Sequence, residues 1–303
     1  MVELNKIYNC DCFDGMKDIP DGSVDMILCD LPYGTTDLAW DVCLPLDKLW
    51  AEYKRVTKPN AAILLFAQQP FATDLIIAAR KMFRYEIIWH KTQPLGFLNA
   101  KKMPLRIHEN ILVFYCKLPT YNPQRKMVEH AKVGAKKKSV NGLYREMYRG
   151  ADWSGVYSHY TKVGYVDDGK RSPDTVIKFS NWNGTIFGRK HKGELNNFHP
   201  TQKPVDLCEY LIKTYSDEGD TILDNCSGSG TTAIAAMNTG RNFICYEKDA
   251  GYWEKSVRRL EGGGPAPIEF KSPLPSKSYA EGEALDLFYP LFANDPATTV
   301  AIT

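Results

Sequence analysis

Thr221-Ile222-Leu223-Asp224-Asn225-Cys226-Ser227-Gly228-Ser229-Gly230-Thr231-Thr232 joins a short apolar run to a glycine-rich turn and then to a small-residue segment that stops before Gly240. That order reads as strand, tight turn and helix, with Gly240 suited to the left-handed position beyond a helix end. We expect a strand over 221–224 and a helix over 231–238. A second stretch has the same grammar. Val24-Asp25-Met26-Ile27-Leu28-Cys29, apolar on both alternating faces but for Asp25, runs into Asp30-Leu31-Pro32-Tyr33-Gly34, where proline and glycine end regular structure.

Outward from these two stretches, strand-like and helix-like segments alternate. A strand is expected from Lys6 to Cys12, a helix from Leu46 to Val56, a strand from Ala61 to Ala67, a helix from about Pro70 to Met82, and strands near Tyr85 to His90 and Asn110 to Cys116. Pro204 is placed to open a helix reaching about Tyr215, and a strand from Asn242 to Glu247 precedes a helix from Asp249 to Leu260. Alternation of this kind implies an α/β fold with a doubly wound, mostly parallel sheet assembled from both ends of the chain.

The glycine-rich turn lets a ligand approach the backbone, and the helix that follows offers free N–H groups to a carboxylate or phosphate. Dinucleotides and S-adenosylmethionine both exploit that arrangement. Gly228-Ser229-Gly230-Thr231-Thr232 lacks the full G-x-G-x-x-G spacing and the lysine of a triphosphate loop, which disfavours nicotinamide and triphosphate ligands. Glu247, ending the next expected strand, suits a ribose hydroxyl.

Asp30-Leu31-Pro32-Tyr33, His199-Pro200-Thr201-Gln202-Lys203-Pro204 and the loop 224–230, in that order, resemble the DNA amino-methyltransferases that modify exocyclic amines, in the permuted class whose catalytic motif precedes its cofactor motif. The resemblance covers residues 5–118 and 196–260 and implies a Rossmann-like methyltransferase fold. Its usual second catalytic position is proline; here it is Leu31, at a place where the backbone carbonyl does the work. By the resemblance, Asp30 and the Leu31 carbonyl accept from the target amine, Pro32 stiffens the loop, and Tyr33 stacks on a base withdrawn from the duplex. Asp224 organises the cofactor loop, Cys226 and Ser229 lie along it, Gly228 and Gly230 admit the methionine part, and Thr231 and Thr232 face its carboxylate with Gln202 and Lys203. Asp11 and Cys12 contact the adenine moiety. Asp at the first catalytic position favours adenine N6 over cytosine N4. Cytosine-N4 transfer and an inactive DNA-binding protein of the same fold are the alternatives.

Charge is unevenly spread behind a net formal value of +2. Residues 117–203 carry about 17 Lys and Arg against about 7 Asp and Glu, while residues 261–303 carry about 2 against about 6. We therefore divide the chain into a catalytic half (1–117), an inserted target-recognition region (118–198), a cofactor half (199–260) and a flexible acidic tail (261–303). Lys136, Lys137, Lys138, Arg145 and Arg149 are the expected contacts to double-stranded DNA. In the tail, Leu285, Leu287 and Phe288 lie in a segment resembling the peptide by which bacterial DNA-processing proteins dock on the replication sliding clamp, with Ala284 in place of its usual Gln; packing of these residues against the chain's own sheet is the alternative. A homodimer is a further candidate assembly.

The eight cysteines lack the spacing of a zinc site and are expected to be reduced thiols. None of His90, His108 and His199 is needed for the chemistry, and no metal is expected. The absence of a long apolar run or a signal-like start points to a cytoplasmic protein, bacterial or bacteriophage-encoded.

Overall fold

The computed structural model describes residues 2–35, 41–127, 136–137, 165–166, 168–181 and 202–262, with 136–137 and 165–166 as backbone only. An eight-stranded sheet runs in the order β1 (Lys6–Asn9), β12 (Asn242–Glu247), β11 (Thr221–Asp224), β2 (Val24–Cys29), β3 (Thr57–Ala67), β5 (Arg106–Phe114), β4 (Phe83–Leu95), β10 (Val176–Phe179). Every neighbouring pair is parallel except the two made by β5, which runs against β3 and β4.

β2 shows why its sequence is apolar on both faces. Val24, Ile27 and Cys29 enter the core on one side of the sheet, and Met26 and Leu28 enter the core on the other. The first core is covered by α1 (Cys12–Met16), α2 (Leu46–Val56) and α3 (Phe71–Ala78). The second is covered by α4 (Val205–Tyr215) and α5 (Thr231–Asn238), with Trp253, Val257 and Leu260 of α6 (Ala250–Leu260) against its margin. Burial on both faces is the pattern of a doubly wound sheet. The single acid of β2 is absorbed locally: Asp25 accepts from Lys58 Nζ at 2.5 Å and from the Thr221 N–H at 3.0 Å, tying β2 to both neighbours.

The expected elements differ from the observed ones mostly at their ends. β1 stops at Asn9 because Asp11 takes an N-cap conformation and its Oδ1 accepts from the Phe13 N–H at 3.0 Å, starting α1 at Cys12. β3 begins at Thr57, directly after α2, and runs through Pro59. α3 is shorter than expected, ending at Ala78, whereas β4 and β5 extend well beyond their apolar cores to Leu95 and back from Arg106. Within 118–198, β10 joins the main sheet on β4, while β6 (Lys126–Met127) pairs with β9 (Lys170–Arg171) and β7 (Lys136–Lys137) with β8 (Tyr165–Val166) in two small ribbons. Residues 176–179 therefore contribute an edge strand to the scaffold. Lys138, Arg145, Arg149, His199, Leu285, Leu287 and Phe288 lie outside the described residues.

Candidate active site

β2 and β11 are neighbours at the middle of the sheet, and from them the chain leaves in opposite directions, to β3 and to β12. Such a divergence opens a crevice beyond the carboxyl ends of the strands. One cavity of about 1330 Å³ occupies it. It is lined by Asp30, Leu31, Pro32 and Tyr33 after β2, by Asp224, Cys226, Gly228 and Ser229 after β11, by Asp11 and Cys12 after β1, by Glu247 at the end of β12, and by Gln202, Lys203, Thr231 and Thr232. Residues more than 200 positions apart thus share one space.

Gly230 is the exception. It has φ of 73°, and a Cβ there would stand 3.1 Å from Ser256 Cβ and 3.2 Å from Ile7 Cδ1, away from the cavity. Its glycine answers to the turn and to packing against α6 and β1.

The cofactor-side loop is held at both ends. Asp224 Oδ1 accepts from the Cys226 N–H at 3.1 Å, and burial pushes its carboxyl up to about 6. Glu247 Oε2 accepts from the Gly228 N–H at 2.8 Å and Oε1 from the Asp249 N–H at 2.8 Å. Each oxygen retains further acceptor capacity, and Glu247 lines the cavity. Tyr53, which the sequence did not single out, donates from its hydroxyl to Asn225 Oδ1 at 2.6 Å. Thr231 Oγ1 donates to the Lys203 carbonyl at 3.2 Å and accepts from Arg259 Nη1 at 3.0 Å. The Ser227 hydroxyl is buried, lines the cavity and has no hydrogen-bond partner among the described residues. A polar ligand there would satisfy it. Asp11, besides capping α1, accepts from Lys248 Nζ at 3.1 Å.

The tip after β2 is equally specified. Leu31 is buried in the core, which fixes the loop from beneath. Asp41 Oδ1 accepts from the N–H groups of Tyr33 at 2.8 Å and Gly34 at 2.9 Å, and its Oδ2 from the Thr35 N–H at 2.9 Å. Gly34 has φ of 66°, and a Cβ would come 2.7 Å from Cys43 Sγ, so the position accepts only glycine. The Tyr33 ring lies 5.4 Å from that of Phe71.

Lys203 does not point its ammonium at the glycine-rich loop. It stands 2.5 Å from Asp30 Oδ2 and 3.2 Å from Glu109 Oε1, and the other oxygen of Glu109 is 2.6 Å from Lys91 Nζ. The Tyr33 hydroxyl, 2.8 Å from Asp30 Oδ1 and 2.9 Å from Glu109 Oε1, donates to one or the other. Two carboxylates and two ammonium groups are therefore balanced in one buried cluster. Burial alone would raise the Glu109 carboxyl, but Lys203 and Lys91 hold it down to about 2. Burial raises the Asp30 carboxyl, with Lys203 opposing and Glu109 reinforcing the rise. Glu109 and Lys91 were not legible as site residues because each looks like one more polar residue at the end of a strand.

These features have counterparts among known proteins. A family model described as DNA methylase, of the N6/N4 type, matches residues 24–258. The type II methyltransferase M1.MboII of Moraxella bovis is 28% identical over 274 residues, covering 83% of this chain and 95% of that protein. The DNA adenine methyltransferase YhdJ of Escherichia coli K12 is 29% identical over 273 residues, covering 86% of this chain and 83% of that protein. A crystal structure of the M1.HpyAVI–SAM complex shares the fold, with a TM-score of 0.50 at 19% identity over 84% of this chain and 97% of that one.

Proposed function

The chain belongs to the N6/N4-type DNA methylase family, and on that premise we propose that it transfers the methyl group of S-adenosylmethionine to the N6 amine of an adenine swung out of double-stranded DNA at a specific sequence. The observation that carries this reading is the single cavity lined by both Asp30 and the Gly228 loop. Its volume exceeds the roughly 300–1,000 Å³ of an ordinary small-molecule site and leaves space for a cofactor and a base together.

The cofactor's sulfonium supplies the electrophilic methyl group. Glu247 accepts from ribose hydroxyls, Ser227 and the N–H groups opening α5 bind polar ends, and Asp224 keeps the loop folded. Asp30, with the Leu31 carbonyl, accepts from the two N–H bonds of the target amine, which favours the tetrahedral nitrogen that forms as methyl arrives. Tyr33 presents its ring to the base while its hydroxyl is anchored below. Asp at position 30 and the likeness to an adenine methyltransferase support adenine as the base.

The DNA face extends from the cavity rim. Leu95 and Arg106 line that rim, and the turn between them exposes Phe97, Leu98, Lys101, Lys102 and Met103 with no acid from 91 to 107. Lys136, Lys137, Lys138, Arg145 and Arg149 add phosphate contacts. Leu285, Leu287 and Phe288 dock on a bacterial sliding clamp, and pairing of two copies is to be read by analytical ultracentrifugation.

Incubation with labelled S-adenosylmethionine and unmethylated plasmid, followed by nucleoside mass spectrometry, tests the assignment. N6-methyladenine is expected, and Asp30→Ala should lose transfer while retaining cofactor binding. N4-methylcytosine would reverse the choice of base. No methylated nucleoside from any duplex would overturn the function.

A further inference from the structure

The chemistry assigned to Asp30 requires a carboxylate that can still accept, yet its two oxygens already meet the Tyr33 hydroxyl at 2.8 Å and the Lys203 ammonium at 2.5 Å. A full ion pair between Asp30 and Lys203 alone would spend the carboxylate's charge on the lysine and weaken it as an acceptor. Glu109 prevents that pairing from being exclusive. It lies 3.2 Å from the same ammonium and can take the Tyr33 hydroxyl in place of Asp30.

Glu109 is itself fixed. Trp89 of β4 faces Glu109 of β5, so Lys91, two residues on, is its diagonal neighbour on the same face of the sheet, and their side chains meet at 2.6 Å. The side chains of Lys91 and Glu109 are only 6% and 3% exposed, so neither can turn to water without breaking the pair. A buried ion pair of this kind is weak evidence for stability, because desolvation offsets much of its attraction. Its position behind the reacting carboxylate gives it a different use.

We propose that Glu109, clamped by Lys91, is a positioning residue for methyl transfer: it shares the Lys203 ammonium and the Tyr33 hydroxyl with Asp30 and so leaves the Asp30 carboxylate able to accept from the target amine. This rests on the methyl-transfer reading of the same cavity. The charged and titratable groups facing Asp30 are Tyr33 on its own loop, Lys203 before α4, Glu109 on β5 and Asp224 on β11, with Cys208 of α4 and Cys29 of β2 nearby. Of these, Tyr33 and Lys203 contact Asp30 directly, and Glu109 contacts both of them.

The test compares Glu109→Gln, Glu109→Asp and the double variant Glu109→Gln with Lys91→Gln, which removes one charge of each sign and protects the fold from a lone buried ammonium. Single-turnover transfer to plasmid DNA should fall roughly tenfold or more in Glu109→Gln, with recovery in Glu109→Asp. Affinity for S-adenosylmethionine should be unchanged. The acid limb of the pH–rate profile should move to lower pH in both Gln variants, because a negative charge that opposes ionisation of Asp30 is gone and Lys203 is freed to pair with it. Carbon-13 NMR of the aspartate carboxyls reads the same displacement with no DNA present. An Asp30 titration and acid limb that stay in place in the folded double variant overturn the positioning role. If the wild-type chain methylates no DNA, the functional reading fails on that result, and the NMR titration still decides whether Glu109 governs Asp30.

Discussion

The Tyr53 hydroxyl donates to Asn225 Oδ1 at 2.6 Å across 172 residues of sequence, joining α2 in the first half of the chain to the loop that follows β11 in the second. Both groups are buried, so the bond has no water to replace it. The loop after β11 is thereby held from the half of the chain that carries Asp30.

Tyr53→Phe should weaken cofactor binding and lower thermal stability, since a buried acceptor left unsatisfied costs about 1–3 kcal/mol. Calorimetric titration with S-adenosylmethionine and a melting curve check this. Unchanged affinity would mean that Asp224 and Glu247 suffice to shape the loop.

Asp224 carries a pH dependence of opposite sense to that of a salt-bridged acid. Burial raises its carboxyl from 3.8 to about 6. Folding therefore favours the protonated form, so this group's contribution to stability is full below about 3.8 and is lost as pH rises through about 6. Asp224→Asn should stabilise the fold at pH 7 by up to about 3 kcal/mol, with the gain shrinking toward pH 4. Paired melts at the two pH values measure it, and cofactor affinity should fall in the same variant because Asn lacks the charge that holds the Cys226 N–H.

Lys101→Glu with Lys102→Glu should weaken duplex binding across sequences and flatten its salt dependence, while S-adenosylmethionine affinity stays constant. Neutralising Lys136, Lys137 and Lys138 should act in the same direction. Filter binding at several salt concentrations compares the two sets, and an unaltered slope in the first would remove the 95–106 turn from the DNA face.

Deleting residues 281–303 should abolish association with purified bacterial sliding clamp in calorimetry without changing methyl transfer to free plasmid. Clamp association that survives the deletion, or is absent from the whole chain, would end that assignment.

Local sequence determined the parallel scaffold and the two loops that matter. Strands buried on both faces have to be apolar on both, as β2 is but for Asp25, and a chain that turns sharply into a helix needs glycine and small residues, as 228–232 has. The strand 221–224, the helix 231–238 and the strand 242–247 accordingly fall where the residues place them. Element ends followed interactions that local periodicity does not encode: the Asp11 cap on α1, the long β4–β5 pairing and the β10 edge strand. Tertiary structure alone decided which polar residues meet. Lys203 sits in a motif that suggests a cofactor contact but reaches Asp30, while Glu109, Lys91, Asp41 and Tyr53 carry no motif at all. A bond such as Tyr53 to Asn225 or Lys203 to Asp30, across more than a hundred residues, depends on sheet order and register, and those are properties of the whole packed chain, whereas periodicity and turn chemistry are properties of neighbours.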